Sequence, residues 1–368
     1  MTRPSLTPLA QSLPESVPFV GPEAIERRTG HAFRARIGAN ESGFGPAPSV
    51  IEAIRAAAPD VWKYGDPENH DIRQAVAAHH GIASANVMIG EGVDGLLGLA
   101  ARLFLEPGDK VVTSLGAYPT FNFHVTGFGG QLVTVPYEND RESLASLRDA
   151  AIREQPRIVY LANPDNPMGT WWPAAEVEAF AAALPETTML ILDEAYIETA
   201  PAGTAPNIEI DRPNVLRFRT FSKAYGLAGI RIGYVMGEAG FIGAFDRVRN
   251  HFGVNRLAQA AGIAALKDQD YLHAVVARIA ASRERIADIA RDNGLAPIPS
   301  ATNFVAIDCG GDGTFALDIL QGLARRGVFI RKPMAPVLDR CIRISAGVEA
   351  DMALLAETLP EAIKEANA

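Results

Sequence analysis

The chain has 368 residues, 48% hydrophobic and 21% charged, with a mean hydropathy of +0.05. That is ample apolar material for a sizeable core, and the length favours two domains over one. A formal net charge of −9 and a pI near 5.4 arise from interspersed acids and bases, so there is neither the basic stripe of a nucleic-acid binder nor attraction to anionic lipid.

The opening stretch, MTRPSLTPLAQSLPESVPFVG, lacks the charged start and apolar core of a signal peptide. No uninterrupted apolar run is long enough to span a bilayer. Cys309 and Cys341 lie in short apolar runs and read as buried thiols of a reducing compartment, which together place the chain in the cytoplasm.

Taken in chain order, the first forty or so residues are proline-rich and aperiodic, and read as an arm or lid. SVIEAIRAAA has helical apolar spacing, NVMIG is a short buried strand, and DGLLGLAARLFLEPG is a helix closed by Pro-Gly. KVVTSL, QLVTVPY, RIVYLANP, TMLILDEAY, VLRFRTF and RIGYVMG are β-rich runs. Most are separated by helix-length segments such as SLASLRDAAIRE and AAEVEAFAAAL. Strands alternating with helices predict a mostly parallel sheet covered on both faces. From residue 255 to 293 the periodicity predicts one long helical spine, leading into TNFVAID, a helix, GVFIRKP, CIRISAG and a closing amphipathic helix. That second texture predicts a smaller α+β domain.

Several loops follow strand ends, where open α/β sheets bind ligands. GEGVDG, residues 90–95, is either an anion cradle at a helix start or a plain glycine-rich turn. NPDNPMG must be an ordered turn, and it presents Asn166 at a strand end. Asp193 closes the apolar run MLILD, where a carboxylate needs a cationic partner or serves as a helix cap. No second acid or histidine stands near it at metal-ligand spacing, and His79–His80 reads as a solvated helix end. Lys223 follows VLRFRTF among small residues, with Arg231 further along the same segment. Such a lysine has its pKa depressed and its neutral amine is nucleophilic. An anion cradle, a fixed amide, a buried acid and a reactive amine form the parts list of a pyridoxal-phosphate site.

The combined set IGANE, YGDP, GVDG, NPDNPMG, DEAY, TFSKAYGLAGIRIG, TNF and IRIS resembles class I/II aminotransferases of fold type I, and within them the histidinol-phosphate aminotransferases. The match runs from about residue 18 to the C-terminus, in the family's order. The resemblance implies an α/β fold, with a mostly parallel central sheet in a large domain and a smaller α+β domain. It divides the chain into an arm and part of the small domain (1–45), a large cofactor-binding domain (46–250) and a C-terminal small domain with its connecting helix (251–368).

The same resemblance implies pyridoxal 5'-phosphate bound to Lys223, with Asp193 on the pyridine nitrogen and Tyr118 stacked on the ring. Tyr196 and Asn166 serve the phenolic oxygen. Thr220, Ser222, Arg231 and the Val93–Gly95 backbone, with Asp94 nearby, hold the phosphate. Tyr64 reaches the phosphate of a neighbouring subunit, making a homodimer with shared sites. Arg343, helped by Asn40, grips the substrate carboxylate, and Arg331 takes an anionic tail. The implied reaction is a ping-pong transfer between an L-amino acid or histidinol phosphate and a 2-oxo acid, with Lys223 as the base at Cα.

The chain departs from the pattern at Phe19 and Phe252, where the family has tyrosines whose hydroxyls meet the substrate phosphate. That opens an aromatic or apolar donor as an alternative. Met168 replaces a threonine, and GVDG lacks the usual glutamate. A threonine-phosphate decarboxylase shares the same parts. A pyridoxal-phosphate-binding transcription regulator would need a DNA-binding module ahead of the first motif, and a dinucleotide-dependent dehydrogenase would need G-x-G-x-x-G with an acid after the next strand.

Overall fold

The computed structural model describes residues 4–15 and 20–368; Phe19 lies outside them. Its centre is a seven-stranded sheet built from β1 (Val87–Gly90), β2 (Lys110–Ser114), β3 (Gln131–Val135), β4 (Ile158–Ala162), β5 (Met189–Asp193), β6 (Val215–Thr220) and β7 (Gly233–Met236). The spatial order is β1-β7-β6-β5-β4-β2-β3, and only β7 runs antiparallel to its neighbours.

Every residue of β4 and β5 is buried, which is why both read as unbroken apolar runs. Their side chains nonetheless alternate between the two faces. Tyr160 and Ile191 join Leu96, Leu97 and Phe121 on one face, under the helices Gly92–Phe104 and Pro119–Gly127. Val159, Leu161, Leu190 and Leu192 join Leu147, Val177 and Phe180 on the other, under Leu144–Glu154 and Ala174–Ala183. At about 25 cal/mol per Å² these apolar faces supply the main stabilising term of the sheet.

The register brings the functional loops to one edge. Gly233 pairs with both Gly90 and Thr220, so the start of antiparallel β7 lies beside the ends of β1 and β6. Ala162 pairs with Asp193 at the ends of β4 and β5.

A second, three-stranded antiparallel sheet joins Ala296–Pro297, β8 (Phe304–Asp308) and β9 (Cys341–Ser345). Helices Gln269–Asp292, Gly313–Arg325 and Glu349–Ala366 build its core. The N-terminal segment adds to this unit: Ala35–Arg36 pairs in parallel with Val328–Phe329, and Ser345 N donates to Ile37 O at 2.8 Å. Cys309 and Cys341 are free and buried. Arg340 joins the small sheet to a separate two-stranded hairpin, binding Asp140 in the turn between Tyr137–Glu138 and Arg141–Glu142 and Asp308 of β8, each at 2.8 Å.

Two expectations need correction. The spine from 255 to 293 is two helices, Arg256–Lys267 and Gln269–Asp292. Asp268 ends the first and caps the second by accepting from Tyr271 N, which breaks a pattern whose apolar spacing continues across the junction. His80 is not a solvated helix end: its ring is 2.9 Å from Tyr234 Oη, and burial, with Arg219 nearby, pushes its pKa down to about 3.

Candidate active site

A cavity of about 390 Å³ opens at the sheet edge where these strands end. Its walls include Asn40, Val93, Asp94, Tyr118, Asn166, Asp193, Tyr196, Thr220, Ser222, Lys223, Arg231, Arg331 and Arg343. A larger cleft beside Trp172 and Pro299, about 540 Å³, contains no lysine.

Lys223 leaves β6 on a tight segment anchored by Phe221, which is fully buried. Gly226, at φ +72°, lies so close to Gly45 that a Cβ would come within 2.6 Å of its carbonyl carbon. Nζ of Lys223 donates to Asn40 O at 3.3 Å and stands 5.4 Å from the Tyr196 ring centre. Burial lowers the lysine pKa to about 8; Arg343 and Arg231 add to the fall, and Asp193 opposes it.

Asp193 ends β5. Oδ1 accepts from Ala195 N at 3.0 Å, and Oδ2 from Tyr160 Oη at 2.7 Å. Burial raises this carboxyl to about 6, while both hydrogen bonds and Lys223 hold it back. Tyr196 Oη accepts from Asn40 Nδ2 at 2.9 Å, and burial pushes its phenol up to about 12. Tyr118 precedes Pro119, the first residue of its helix, and burial also raises its phenol.

One end of the cavity suits an anion. The helix starting at Gly92 presents its N-terminal amides there. Arg231, in left-handed backbone at φ 60°, donates to Ala228 O at 3.1 Å and Glu91 O at 3.4 Å. Its guanidinium packs on the bare backbone of Gly92, where a Cβ would lie 2.5 Å from Nη2. Thr220 Oγ1 donates to Ser222 Oγ at 2.9 Å on the same side.

The cavity wall carries two more cations. Arg331 and Arg343 are backbone partners, with Arg343 N donating to Arg331 O at 2.7 Å. Arg343 Nη1 donates to Asn166 Oδ1, and Arg331 Nη2 donates to Val20 O at 2.9 Å. Burial, with Arg331 nearby, lowers Arg343 to about 10, so it is cationic at neutral pH. Its Nε is buried and has no hydrogen-bond partner among the described residues.

Three expected residues stand apart from the cavity of this chain. Gly95 lies one residue beyond its wall. Tyr64 and Phe252 are exposed, their rings 4.7 Å apart. Glu41 lines the cavity and its charge acts on both Lys223 and Arg331; its place beside Asn40 in IGANE was the available signal. Tyr160 offered no signal, reading as one more core residue of RIVYL. Among the described residues there is no cluster of acids, histidines or cysteines fit to hold a metal, and no helix long and apolar enough to cross a membrane.

The mostly parallel seven-stranded sheet, with a lysine beyond one strand end and a buried aspartate at its neighbour's, defines a fold type I transferase. The family described as aminotransferase class I and II matches residues 36–359, and the chain belongs to it; it is a transaminase. The chain is 62% identical to the histidinol-phosphate aminotransferase of Sinorhizobium meliloti, solved in complex with pyridoxal-5'-phosphate. That comparison covers 99% of this chain and 98% of the other, with a TM-score of 0.96. It is 35% identical over 352 residues to the histidinol-phosphate aminotransferase of Anaeromyxobacter sp. (strain Fw109-5), covering 94% of this chain and 95% of that one. Aspartate aminotransferase of Thermus thermophilus, 22% identical with a TM-score of 0.81 over 98% of this chain and all of its own, shares the fold.

Proposed function

We propose that this transaminase carries pyridoxal 5'-phosphate on Lys223 and moves the amino group of histidinol phosphate to a 2-oxo acid. The observation that carries the reading is a convergence at one sheet edge. A lysine lowered to about 8, a buried aspartate and an arginine laid over a bare glycine line one cavity. The cofactor is the one bound by the Sinorhizobium meliloti protein, and the donor is the one named for both relatives.

The residues fit that cofactor. Neither Gly92 nor Gly233 has a Cβ to fill the space beside Arg231 and Val93 N. The cation, two hydroxyls and helix amides match a phosphate, and the buried unpaired Nε of Arg343 matches an anionic substrate. Pyridoxal phosphate supplies an aldehyde for a bond to an amine and a cationic ring that draws electrons from the donor's Cα.

The chain's own groups do the rest. With the cofactor bound, Arg231, Thr220, Ser222 and the backbone at Val93 and Asp94 would hold the phosphate. Asp193 would face the ring nitrogen, Tyr118 would cover the ring, and Tyr196 and Asn166 would serve the phenolic oxygen. Lys223 Nζ, partly neutral near pH 8, takes the Cα proton and holds it for return. Arg343 with Asn40 grips the carboxylate of the 2-oxo acid, and Arg331 takes the anionic tail.

The same reading assigns residues 1–45 to an arm and part of a small domain, 46–250 to the large domain and 251–368 to the rest of the small one, in the cytoplasm. The pairing of Ala35–Arg36 with Val328–Phe329 supports the first assignment, and the free thiols support the last. A homodimer with shared sites is supported by Trp62 and Tyr64, which are 79% and 76% exposed, Tyr64 lying against the exposed Phe252. Phe252 itself favours a second donor reading, an aromatic or apolar amino acid, because it offers no hydroxyl to a phosphate.

A half-reaction screen separates the two. Holoenzyme mixed with histidinol phosphate, phenylalanine, tyrosine, leucine or glutamate is followed by the visible absorbance of its cofactor. Conversion fastest with histidinol phosphate is expected; conversion only with the amino acids overturns the proposed donor.

A further inference from the structure

Tyr160 and Asp193 occupy the same sheet face on neighbouring strands. Tyr160 is paired with Ile191 and Ala162 with Asp193, so the two side chains are diagonal neighbours. The Tyr160 side chain is fully buried, its ring stacked on Phe121 with centroids 4.5 Å apart and 17° between planes. Its hydroxyl donates to Asp193 Oδ2 at 2.7 Å.

We propose that Tyr160 is a positioning residue for transamination: its hydroxyl keeps Asp193 ionised and turned toward the ring nitrogen of the cofactor. The inference rests on the reading of Asp193 as the partner of that nitrogen.

The surroundings make this donor decisive. Of the charged groups acting on Asp193, the Lys223 cation favours its ionised form, whereas Glu194 opposes it. Glu142 and Asp165 add two further buried carboxyls within electrostatic reach, and Tyr118 and Tyr196 present phenols. Burial also favours the neutral acid. Burial and the adjacent carboxylate push the Tyr160 phenol well up, so it donates throughout the working range. Without its hydroxyl, Oδ2 loses its side-chain donor while Ala195 N still serves Oδ1. The balance then moves toward the neutral acid, which cannot keep a ring nitrogen cationic.

The test reconstitutes wild type, Tyr160→Phe, Phe121→Leu and Asp193→Asn with pyridoxal phosphate isotopically labelled at the ring nitrogen. The nitrogen resonance is read at neutral pH, alongside steady-state kinetics. Tyr160→Phe should move the resonance toward its deprotonated position and lower kcat about tenfold, with KM within about twofold, the scale of one hydrogen bond to a charged group. Phe121→Leu disturbs the packing but keeps the hydroxyl, and should leave the resonance in place. An unmoved resonance in Tyr160→Phe, with a moved one in Asp193→Asn, overturns the proposal and leaves the Asp193 reading standing. No movement in either overturns the Asp193 reading itself. Equal movement in Phe121→Leu and Tyr160→Phe assigns the effect to packing and also overturns the proposal.

Discussion

Lys223 and Asn40 are joined across the cavity: Nζ donates to the Asn40 carbonyl at 3.3 Å, and the Asn40 amide donates to Tyr196 Oη at 2.9 Å. Asn40 adopts left-handed backbone, φ 56°, and its own N donates to Ser345 Oγ at 3.0 Å. The N-terminal segment therefore closes a wall of the site and ties it to β9. Asn40→Ala loses the side-chain amide's hydrogen bonds to Tyr196 Oη and from Ser345 Oγ and keeps the unfavourable backbone. We expect a stability loss of about 1–2 kcal/mol by urea titration and a fall in kcat of about tenfold.

The pH dependence follows from the same amine. In the proposed reading Lys223, once released from the cofactor, acts as a base only when neutral, so a pKa near 8 predicts that the rate climbs as pH rises through that value. Asp193, raised to about 6, adds a further loss below that pH, because its protonated form carries no charge. Both groups act on the acid limb, so the rate falls twice as pH drops. An adjacent cation disfavours a protonated amine, so Arg343→Gln should move the upper midpoint to higher pH. Stability of the cofactor-free protein follows the linkage. The unfolded lysine keeps its proton up to about 10.4 and the folded one only to about 8. This group's destabilising effect is therefore complete below the folded value and disappears as pH rises through the window, which denaturant midpoints at several pH values measure.

Arg343→Lys is not a conservative change. A lysine replaces a planar fork with a point charge and cannot reproduce two parallel hydrogen bonds to a carboxylate. KM for the 2-oxo acid should rise about 10- to 100-fold, with a smaller change in kcat. Steady-state kinetics with the acceptor varied is the check; an unchanged KM removes Arg343 from the carboxylate site.

Gly92→Ala tests the anion cradle. The new methyl would sit 2.5 Å from Arg231 Nη2 at a backbone φ of +82°, so the guanidinium must move and the loop is strained. Affinity for pyridoxal phosphate should drop at least about tenfold, measured by titrating apoenzyme with the cofactor.

Much of this arrangement is legible in the sequence because strands buried on both faces are written as unbroken apolar runs, and the loops after them carry unusual residues at their ends. Asp193 after MLIL and Lys223 after VLRFRTF stand out for that reason. What escapes is whatever depends on register between strands. Tyr160 differs from no other core tyrosine until β4 is set against β5. His80 looks like a polar helix end because its partner, Tyr234, is 154 residues away. The break at Asp268 is hidden by apolar spacing that continues on both sides, although an aspartate just ahead of a helical run is a capping signal. Tyr64 and Phe252 are likewise brought together only by folding.

Phe252→Tyr asks whether a missing hydroxyl governs donor choice. If it does, kcat/KM for histidinol phosphate should rise a few-fold relative to phenylalanine, about what one added hydrogen bond to a phosphate supplies. No gain in that ratio removes the argument from the phenyl ring.

The central claim is that the amine of Lys223 is the group that bonds the cofactor. Reducing the pyridoxal-phosphate-loaded protein with borohydride and mapping the product by peptide mass spectrometry tests it directly. The account predicts a reduced phosphopyridoxyl adduct on Lys223 and none in Lys223→Ala, whose visible cofactor band is also lost. A stoichiometric adduct on any other lysine, with Lys223 unmodified, would contradict it.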